Sequence, residues 1–527
     1  MALSRRDLLA LVSVAGASAL MPDRLLADET ESGYRGPLRL EGKPGKSRVL
    51  ILGAGLAGLT AAYELGQAGY DVQILEYNTR VGGRVWTIRG GDSYTELGGA
   101  TQNCGFAPGV YMNAGPWRVS HRHRAFLDYC RRFDVAVEPF LQTNLNGFVH
   151  SSKVLGGKPQ RVRHVVADFQ GYLAELTTAL LKDANVAARL SADETRLLRS
   201  LLTSWGGLNR NGDYVTGPAS ARMRGTEPYN VTSGLAPSST PLSRADVLAL
   251  CDAAAVWRGP NHPTSAEFQM PLFQPVGGMD MLPKAFAKRV GHLIRFNAKV
   301  TAIRQSESSV SVDYVDGRSG RTEVAQADWC LCTLPLSIMS QLPMQVGAGM
   351  RAAVDAVPLG DDIKIAMQFK RRFWEQDEAI YGGCSMTDLP IRSIYYPSYA
   401  LNSSGKGLLY GSVLHGGTAT YEFTSLTPPE RLAKVLEYGA QIHPQYRTEY
   451  ENGMAICWYR NPYSHGCVAQ WTDDLLRTHY ENLRAIDGRI LLAGEGVSNR
   501  GWQDGTIMSA LDAVERLHRH VLARPAA

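Results

Sequence analysis

The sequence predicts an α/β protein whose sheets are assembled from segments that lie far apart in the chain. An apolar, β-rich run at residues 48–52 leads into a glycine-rich turn, a helix and a second strand. A second buried strand, at residues 489–493, and a closing helix follow more than 400 residues later. A chain of 527 residues is too long for one hydrophobic core, so two or three domains are expected.

Composition excludes several classes of protein. The hydrophobic content of 44% and the charged content of 20% are typical of a globular protein. The formal charge of +5 is small for this length, and basic runs with interleaved aromatic residues are absent, so no nucleic-acid partner is expected. The eight cysteines form no CxxC pair and no Cys/His cluster with metal-ligand spacing. We therefore expect no metal site, and buried free thiols rather than disulfides.

The first residues have the pattern of a targeting signal. Arg5 and Arg6 precede an apolar stretch, residues 8–21, that is too short to span a bilayer. This arrangement predicts a signal peptide of the twin-arginine type over residues 1–27, cleaved after Ala19 or Ala27, and therefore a periplasmic or secreted protein. Residues 28–47 are a polar connector. No later segment has about 18 uninterrupted apolar residues, so no stable membrane span is predicted.

The glycine-rich turn has the fingerprint of a dinucleotide-binding site. Gly53, Gly55 and Gly58 form a GxGxxG pattern between a strand and a helix, and Glu76 ends the second strand. The first glycine permits the tight turn, the second lets the backbone approach a pyrophosphate, and the third allows helix and strand to pack closely. The helix N-terminus supplies N–H groups to the diphosphate, and Glu76 is expected to accept hydrogen bonds from ribose hydroxyls. The sequence thus predicts a Rossmann-type domain.

Two further segments identify the dinucleotide through a family resemblance. They are Tyr77 to Val85 (YNTRVGGRV) and Leu491 to Gly496 (LLAGEG), and together with the glycine-rich turn they resemble the three FAD motifs of the flavin amine oxidases. A third segment, Met112 to Val119 (MNAGPWRV), is similar to the one that lies over the flavin in the L-amino acid oxidases and presents an arginine to the substrate. The resemblance implies FAD, held noncovalently because no cysteine lies in residues 498–506. The residues it implies for FAD binding are Gly53, Gly55, Ala57, Gly58, Glu76, Gly83, Arg84, Trp117, Val300, Glu495, Gln503 and Thr506.

The same resemblance implies a substrate site. Arg118 would grip the substrate carboxylate with a bidentate guanidinium, because a buried charge needs a partner. Tyr410 would share that carboxylate, and Lys364 would hold a water near the flavin and assist the reaction with oxygen. The remaining implied substrate contacts are Gly501, Trp502 and Val468, and the segment 268–270 suggests an apolar pocket. For Tyr395, a packing role and a functional role are equally good interpretations.

The remaining patterns complete the predicted fold class: a Rossmann-type FAD-binding domain, a mixed-sheet substrate-binding domain and a helical insert. Residues 59–66 are predicted as an amphipathic helix, residues 203–245 as loop, and residues 506–521 as the closing helix. Strands are predicted at 295–314, 322–333, 362–369, 391–396 and 407–413. The predicted domains are FAD-binding (48–115, 276–340 and 480–527), substrate-binding (116–157 and 341–479) and helical (158–275).

The resemblance implies oxidative deamination. An L-amino acid, either hydrophobic or aromatic by the apolar pocket or drawn from a broad range, would pass a hydride from its α-carbon to flavin. Hydrolysis would give a 2-oxo acid and ammonia, and O2 would be reduced to hydrogen peroxide. An amino-acid 2-monooxygenase and a monoamine or polyamine oxidase remain alternatives on the same scaffold, and a flavin-binding chaperone or electron-transfer protein is the alternative outside enzymes. A homo-oligomer, most simply a dimer, is expected.

Overall fold

The computed structural model describes residues 33–225, 239–257 and 266–523. The predicted signal peptide therefore lies outside the described residues. The strands, β1 to β24 in chain order, are Arg48–Leu52, Asp71–Leu75, Thr87–Arg89, Ser93–Thr95, Thr101–Asn103, Tyr111–Asn113, Val119–Ser120, Val137–Phe140, Phe148–His150, Gln160–Arg161, Leu272–Pro275, Ile294–Arg295, Ala298–Gln305, Val310–Asp316, Thr322–Ala327, Trp329–Cys332, Leu359–Gly360, Asp362–Phe369, Cys384–Thr387, Ser393–Tyr395, Gly407–His415, Tyr450–Cys457, Val468–Ala469 and Ile490–Leu492.

The α-helices are numbered in the same way. In chain order, α1 to α16 are Leu56–Gln67, Arg124–Arg132, Val162–Leu180, Ala184–Ala187, Ala192–Gly206, Pro218–Arg224, Arg244–Ala253, Met281–Val290, Leu336–Met339, Ala348–Ala356, Phe373–Gln376, Gly417–Ser425, Pro428–Gly439, Tyr446–Glu449, Asp473–Arg484 and Trp502–Ala523. Short 3-10 turns occupy Leu155–Gly157, Ala266–Phe268, Gly291–Leu293 and Glu495–Val497. Among the described residues, no helix is both long enough and apolar enough to cross a membrane.

A five-stranded parallel sheet joins distant parts of the chain in the order β12-β2-β1-β16-β24. Its central strand, β1, pairs Val49 with Val72 on one side and with Trp329 on the other. Four of the five residues of β1 are buried, as expected for a strand that is covered on both faces. The sheet therefore brings the glycine-rich turn after β1 next to the ends of β16 and β24.

Helix α1 differs from its prediction. It begins at Leu56 rather than Leu59, and nine of its 12 residues are buried, so the prediction of an amphipathic helix is wrong. Small residues explain this burial: Ala57, Gly58, Ala61 and Ala62 let neighbouring helices approach closely. The buried Glu64 carboxylate is satisfied by the Tyr129 hydroxyl, and Arg132 lies 3.5 Å from it.

A seven-stranded mixed sheet forms the second layer, in the order β10-β9-β19-β20-β21-β18-β22. Strand β9 pairs with β19 in parallel, and the other neighbours are antiparallel. All but the first residue of strand β18, which lies between β21 and β22, are buried. The chain therefore has the α/β fold that the sequence predicts, with a Rossmann-type sheet and a mixed sheet.

The helical insert contains α3 to α7 and is held by a buried polar cluster. Asp168 on α3 forms an ion pair with Arg224 on α6 and accepts a 2.7 Å hydrogen bond from the Tyr214 hydroxyl. Helix α6 lies inside the predicted loop 203–245, so that prediction is wrong in part. Proline is favoured in the first turn of a helix, and Pro218 occupies that position. The Ser220 side chain accepts a hydrogen bond from the Gly217 N–H. The prediction of a loop counted these residues as loop formers and so missed their role at the start of a helix.

Two of the runs predicted to form strands are each divided in the structure: 295–314 contains β13, the last residue of β12 and most of β14, and 322–333 contains β15 and β16. The boundary of one further element needed correction. The closing helix begins at Trp502, four residues earlier than predicted. All eight cysteines are free thiols, and all but Cys467 are buried.

Candidate active site

A cavity of about 1070 Å³ lies between the two main sheets. Its lining begins at the turn after β1, passes the ends of β2 and β16, and reaches β18 and the start of α16. Of the residues predicted to bind cofactor or substrate, all line this cavity except Gly58 and Tyr410, and of the predicted pocket segment 268–270 only Phe268 does so. Its volume lies at the upper limit of ordinary ligand pockets, roughly 300–1,000 Å³. One cavity therefore unites residues from both ends of the chain.

The three glycines of the turn have distinct surroundings. Gly53 has a φ of +101°, which favours glycine. A Cβ on Gly55 would meet no protein atom within 4 Å and would project into open space, whereas a Cβ on Gly58 would lie 2.0 Å from the Gly53 carbonyl oxygen. Gly55 thus leaves room for a ligand, and Gly58 leaves room for the turn itself. This is the division of roles expected for a dinucleotide cradle.

Glu76 is fixed at the end of β2 by backbone donors. Its carboxylate accepts hydrogen bonds from the N–H groups of Ala54, at 2.6 Å, and Asn78, at 2.7 Å. Burial raises its pKa, although these two N–H groups oppose the shift. The carboxylate lines the cavity beside the glycine turn, where it could accept hydrogen bonds from ribose hydroxyls.

Two of the predicted cofactor residues form an ion pair. Arg84 Nη1 lies 2.8 Å from Glu495 Oε2 and also donates to the Cys467 carbonyl. The other carboxylate oxygen of Glu495 accepts from the Ala469 N–H at 2.8 Å. Both side chains line the cavity, so the pair places a cation and an anion side by side along the wall. Arg84 is therefore positioned through Glu495, which sequence reasoning had not anticipated.

Arg80 is a cavity-lining cation that the sequence analysis missed. It donates to the carbonyls of Val81 and Gly83, and its guanidinium lies 4.4 Å from the Trp86 ring. Burial lowers its pKa to about 10. The signal was present, because Arg80 stands within the same short motif as Gly83 and Arg84. It adds positive charge on the side of the cavity where a diphosphate would lie.

The first turn of α16 presents polar groups to the cavity. Gln503 is only 2% exposed, and within the described structure neither its amide oxygen nor its amide nitrogen has a hydrogen-bond partner. Thr506 follows one turn later and lines the same wall. A buried amide without partners is costly, so a bound polar ligand at this position would satisfy it. These orphaned atoms, with the open space at Gly55, fit a dinucleotide lying along the cavity.

Arg118 lines the cavity beside Trp502, the first residue of α16. It is 6% exposed, its Nε and Nη1 atoms have no hydrogen-bond partner, and no carboxylate among the described residues pairs with it. Its guanidinium instead lies among three aromatic rings, at 4.6 Å from Phe268, 5.3 Å from Trp117 and 5.6 Å from Trp502. Burial lowers its pKa to about 10. The site thus contains a buried cation that lacks an anion.

Lys364, on β18, is the second cation of this region. Its ammonium donates to the Gly115 carbonyl and lies 4.0 Å from the Trp117 ring. Burial, with a smaller contribution from the charge of Arg118, lowers the pKa of Lys364 to about 7. Lys364 and Arg118 therefore lie in one pocket, and their positive charges favour an anionic ligand there.

The predicted substrate residues differ in placement. Gly501, Trp502 and Val468 line the cavity next to Arg118, and Trp502 has a positive φ of +58°. Tyr410 lies behind Trp117, with ring centroids 4.7 Å apart, and its hydroxyl accepts from the Asn113 N–H at 2.8 Å. The structure therefore does not bring Tyr410 to the cavity wall, because the backbone of β6 takes its hydroxyl. Its contact with a substrate carboxylate stays a prediction.

Tyr395 is another residue whose position the sequence could not decide. Its ring packs against Trp117, with ring centroids 4.7 Å apart. Burial raises the pKa of its hydroxyl, and the charge of Arg118 opposes that shift. It does not line the cavity. Phe268, in contrast, reaches the cavity from the end of the helical insert and covers Arg118.

The glycine cradle, the acid at the end of β2 and the orphaned amide define a dinucleotide-binding protein with a second, cationic subsite. The comparison with protein families specifies the class further. The model of the flavin containing amine oxidoreductases matches residues 56–518, and the chain belongs to this family. Membership implies an oxidoreductase with a flavin cofactor, FAD.

Curated relatives cover nearly the whole chain. A putative L-amino-acid oxidase, YobN, of Bacillus subtilis (strain 168) is 27% identical over 491 residues, which are 89% of this chain and 94% of the relative. An L-amino-acid oxidase of Vipera ammodytes ammodytes is 28% identical over 494 residues, covering 89% of this chain and 92% of the relative.

Solved structures share the fold. Cyclohexylamine oxidase from Brevibacterium oxydans IH-35A superposes with a TM-score of 0.59 at 17% identity, covering 91% of this chain and 100% of the other. Putrescine oxidase bound to putrescine superposes with a TM-score of 0.57 at 18% identity, covering 91% and 99%. At these identities the likeness establishes the fold alone.

Proposed function

We propose that this enzyme is an L-amino-acid oxidase that takes hydrophobic or aromatic substrates. The observation that carries the proposal is the buried guanidinium of Arg118, which lines the cavity and has no anionic partner in the described residues. The names of the curated relatives support the same activity. The overall reaction converts an L-amino acid, water and O2 to a 2-oxo acid, ammonia and hydrogen peroxide.

The energetics of Arg118 favour a carboxylate ligand. An unpaired charge away from water costs several kcal/mol, and the lowered pKa of Arg118 reports that cost. A bound carboxylate would replace the missing counter-ion through two parallel charge-assisted hydrogen bonds. A simple amine could not do so and would bring a net positive charge beside Arg118, whereas an amino-acid zwitterion brings none. Binding of an amino acid is therefore favoured over binding of an amine.

The residues around Arg118 would orient the substrate. With the carboxylate held at Arg118, the Trp502 and Phe268 rings and Val468 form the nearest apolar walls for the side chain. The carbonyl of Gly501, which lines the same cavity, would accept from the substrate amine. Flavin, when bound, supplies the hydride acceptor. Holding the α-carbon in one orientation can contribute about 7–11 kcal/mol to lowering the barrier.

Lys364 would act in the oxygen-dependent half of the reaction. Its ammonium is anchored to the Gly115 carbonyl at the cavity wall, and its pKa of about 7 allows it to change charge near neutral pH. We propose that FAD is held noncovalently, since residues 498–506 contain no cysteine. Release of a yellow supernatant after acid precipitation would support this, and flavin retained in the pellet would contradict it.

The direct test compares arginine variants of the flavin-loaded enzyme. Arg118→Ala should lower kcat/KM for L-amino acids by about 10²–10³-fold, since removal of one partner from a buried charge pair costs about 2–5 kcal/mol. Arg118→Lys should recover only part of the loss, because a point charge cannot bind in bidentate fashion. Arg131→Ala is the matched control, because the Arg131 side chain is 78% exposed. Wild-type kinetics for Arg118→Ala would refute the proposal.

The product separates the proposal from its nearest alternative. An amino-acid 2-monooxygenase would yield an amide, whereas an oxidase yields a 2-oxo acid and one hydrogen peroxide per ammonia. Quantifying oxo acid, amide and peroxide in one reaction mixture decides between them. Amide as the main product would replace the oxidase assignment without affecting the role of Arg118.

We also propose export through the twin-arginine route, on the pattern of Arg5, Arg6 and the short apolar stretch that follows them. Replacement of both arginines by lysine should keep the protein in the cytoplasm. Equal export of the variant, measured by fractionation of cells, would contradict this proposal.

A further inference from the structure

A carboxylate and an imidazole line the cavity at the point where strand β18 begins. Asp362 is the first residue of β18, and it lies directly opposite His415, the last residue of β21. His415 Nδ1 lies 2.8 Å from Asp362 Oδ1, and the ring donates this hydrogen bond because an ionised carboxylate can only accept. The Asp362 side chain is 16% exposed and the His415 side chain 62%, so the pair extends from the cavity to the solvent.

Lys364 lies on the same face of β18 as Asp362. Side chains alternate along a strand, so residues 362 and 364 project together, with about 6–7 Å between their α-carbons. Both side chains line the cavity, and Lys364 is only 5% exposed. Asp362 therefore stands between a buried ammonium and an exposed imidazole.

Titratable groups surround the Lys364 ammonium. Arg118 adds a second positive charge, and the Tyr410 ring lies 5.7 Å away. Burial raises the pKa of the Cys467 thiol well above its usual value, so this neighbour stays neutral. Asp362 is the carboxylate in this set, and its negative charge opposes the lowering of the Lys364 pKa. A proton that leaves Lys364 is therefore best replaced through Asp362.

The preceding residue, Asp361, has different surroundings. Its carboxylate accepts hydrogen bonds from the Thr424 hydroxyl, at 2.6 Å, and from the Tyr459 N–H, at 3.2 Å. It does not line the cavity. Asp361 is therefore a carboxylate of the same type, at nearly the same place in the fold, that has no access to Lys364.

We propose that His415 and Asp362 form a proton relay that carries protons from the solvent to Lys364 during the reduction of O2. The inference rests on the proposed oxidase function and adds the source of its proton. O2 receives two electrons and one proton from reduced flavin, which gives the hydroperoxide anion, and one further proton completes hydrogen peroxide. The Lys364 ammonium donates this proton and becomes neutral.

The relay then restores the ammonium. The exposed His415 ring takes a proton from water at Nε2 and releases the Nδ1 proton to the Asp362 carboxylate. Asp362 passes it to Lys364 through an intervening water, since the two side chains start about 6–7 Å apart. Histidine suits the outer position because it readily exchanges protons near neutral pH. One proton leaves the solvent for each hydrogen peroxide formed.

The test isolates the reaction with oxygen from the choice of substrate. The flavin-loaded enzyme is reduced anaerobically with dithionite and mixed with oxygenated buffer at about pH 7.5, and the return of flavin absorbance is followed. His415→Ala and Asp362→Asn should each slow reoxidation at least tenfold, because positioned proton transfer contributes about 10²–10⁴-fold. Asp361→Asn is the matched control and should react as the wild type does.

Reoxidation at the wild-type rate in either relay variant, or equal slowing in the Asp361→Asn control, would overturn the proposal. No amino acid takes part in this experiment. A wrong substrate assignment would therefore appear in the assays of Arg118 and leave the reoxidation rates unchanged.

Two readouts separate proton transfer from a structural effect. Reoxidation of the two relay variants should be at least twofold slower in D2O than in H2O, because proton delivery has become rate-limiting. Imidazole at about 50 mM should return His415→Ala to within threefold of the wild-type rate, and it should not accelerate Asp362→Asn, which keeps its ring. Absence of the isotope effect or of the rescue would show that the two side chains have only a structural role.

A double-mutant cycle on the apoprotein tests the contact between Asp362 and Lys364 without any reaction. Lys364→Met removes a buried ammonium and should raise Tm at pH 7. In the Asp362→Asn background the same substitution should raise Tm by about 1–3 °C more, because the ammonium there has lost its neighbouring anion. Equal gains in the two backgrounds would show that the two charges do not interact, and this would overturn the relay.

Discussion

Two cations share the substrate end of the cavity, and their partners differ. Arg118 lies among aromatic rings without an anion, whereas Lys364 is held by the Gly115 carbonyl. The guanidinium therefore remains free to bind a ligand, and the ammonium is a fixed part of the wall. Sequence reasoning selected both residues, but it could not show that Arg118 lacks a counter-ion, because that depends on the surroundings that folding assembles.

Lys364 gives a stability prediction for the apoprotein. Its pKa of about 7 in the folded state lies below that of lysine in an unfolded chain, about 10.4. Between these values the unfolded chain binds more protons, so the stability of the wild type should rise with pH from 7 to about 10. Lys364→Met removes the penalty, and its Tm should exceed that of the wild type by several degrees at pH 7.

The gap between the two proteins in the Lys364 experiment should narrow toward pH 10, where lysine is neutral in the folded state and approaches its own pKa in the unfolded chain. Thermal melts of the two apoproteins at pH 6 to 10 check this. A constant gap in Tm, or a less stable variant at pH 7, would show that burial of the Lys364 ammonium does not destabilise the folded protein.

The turn between β1 and α1 shows how far sequence reasoning reaches at the level of elements. The spacing of Gly53, Gly55 and Gly58 predicted their separate roles, because GxGxxG reflects local backbone geometry. The burial of α1 was missed because its cover comes from α16 and α8, which are distant in sequence. Helix α6 was missed because its stability depends on the buried pair of Asp168 and Arg224.

A pair of alanine variants separates binding from folding at this turn. Gly55→Ala adds a Cβ in open space at the cavity, so the apoprotein should melt as the wild type does and FAD should bind at least tenfold more weakly. Gly58→Ala places a Cβ 2.0 Å from the Gly53 carbonyl oxygen and should destabilise the apoprotein by about 1–3 kcal/mol. Thermal melts and flavin titration measure both effects. Equal behaviour of the two variants would contradict the assigned roles.

At the scale of the whole molecule, the cavity exists because two sheets and the start of α16 converge on it. Nearly all the residues that the motifs predicted as cofactor or substrate contacts line it, since each motif carries a local geometric requirement. Packing decided two other placements: Tyr410 lies behind Trp117, and only Phe268 of the segment 268–270 reaches the cavity, where it covers Arg118. Arg80 was overlooked although it stands inside a recognised motif. Which side chains face one another across a cavity follows from tertiary packing, and local patterns do not encode it.

The measurement that tests the account most directly compares an amino acid with the amine that lacks its carboxylate. Hydrogen peroxide formation by the wild-type enzyme should be followed with L-phenylalanine and with 2-phenylethylamine. If Arg118 requires a carboxylate, kcat/KM should be at least 100-fold higher for the amino acid, and Arg118→Ala should remove most of that preference. Equal kcat/KM for the two compounds in the wild type would show that the guanidinium does not select the substrate.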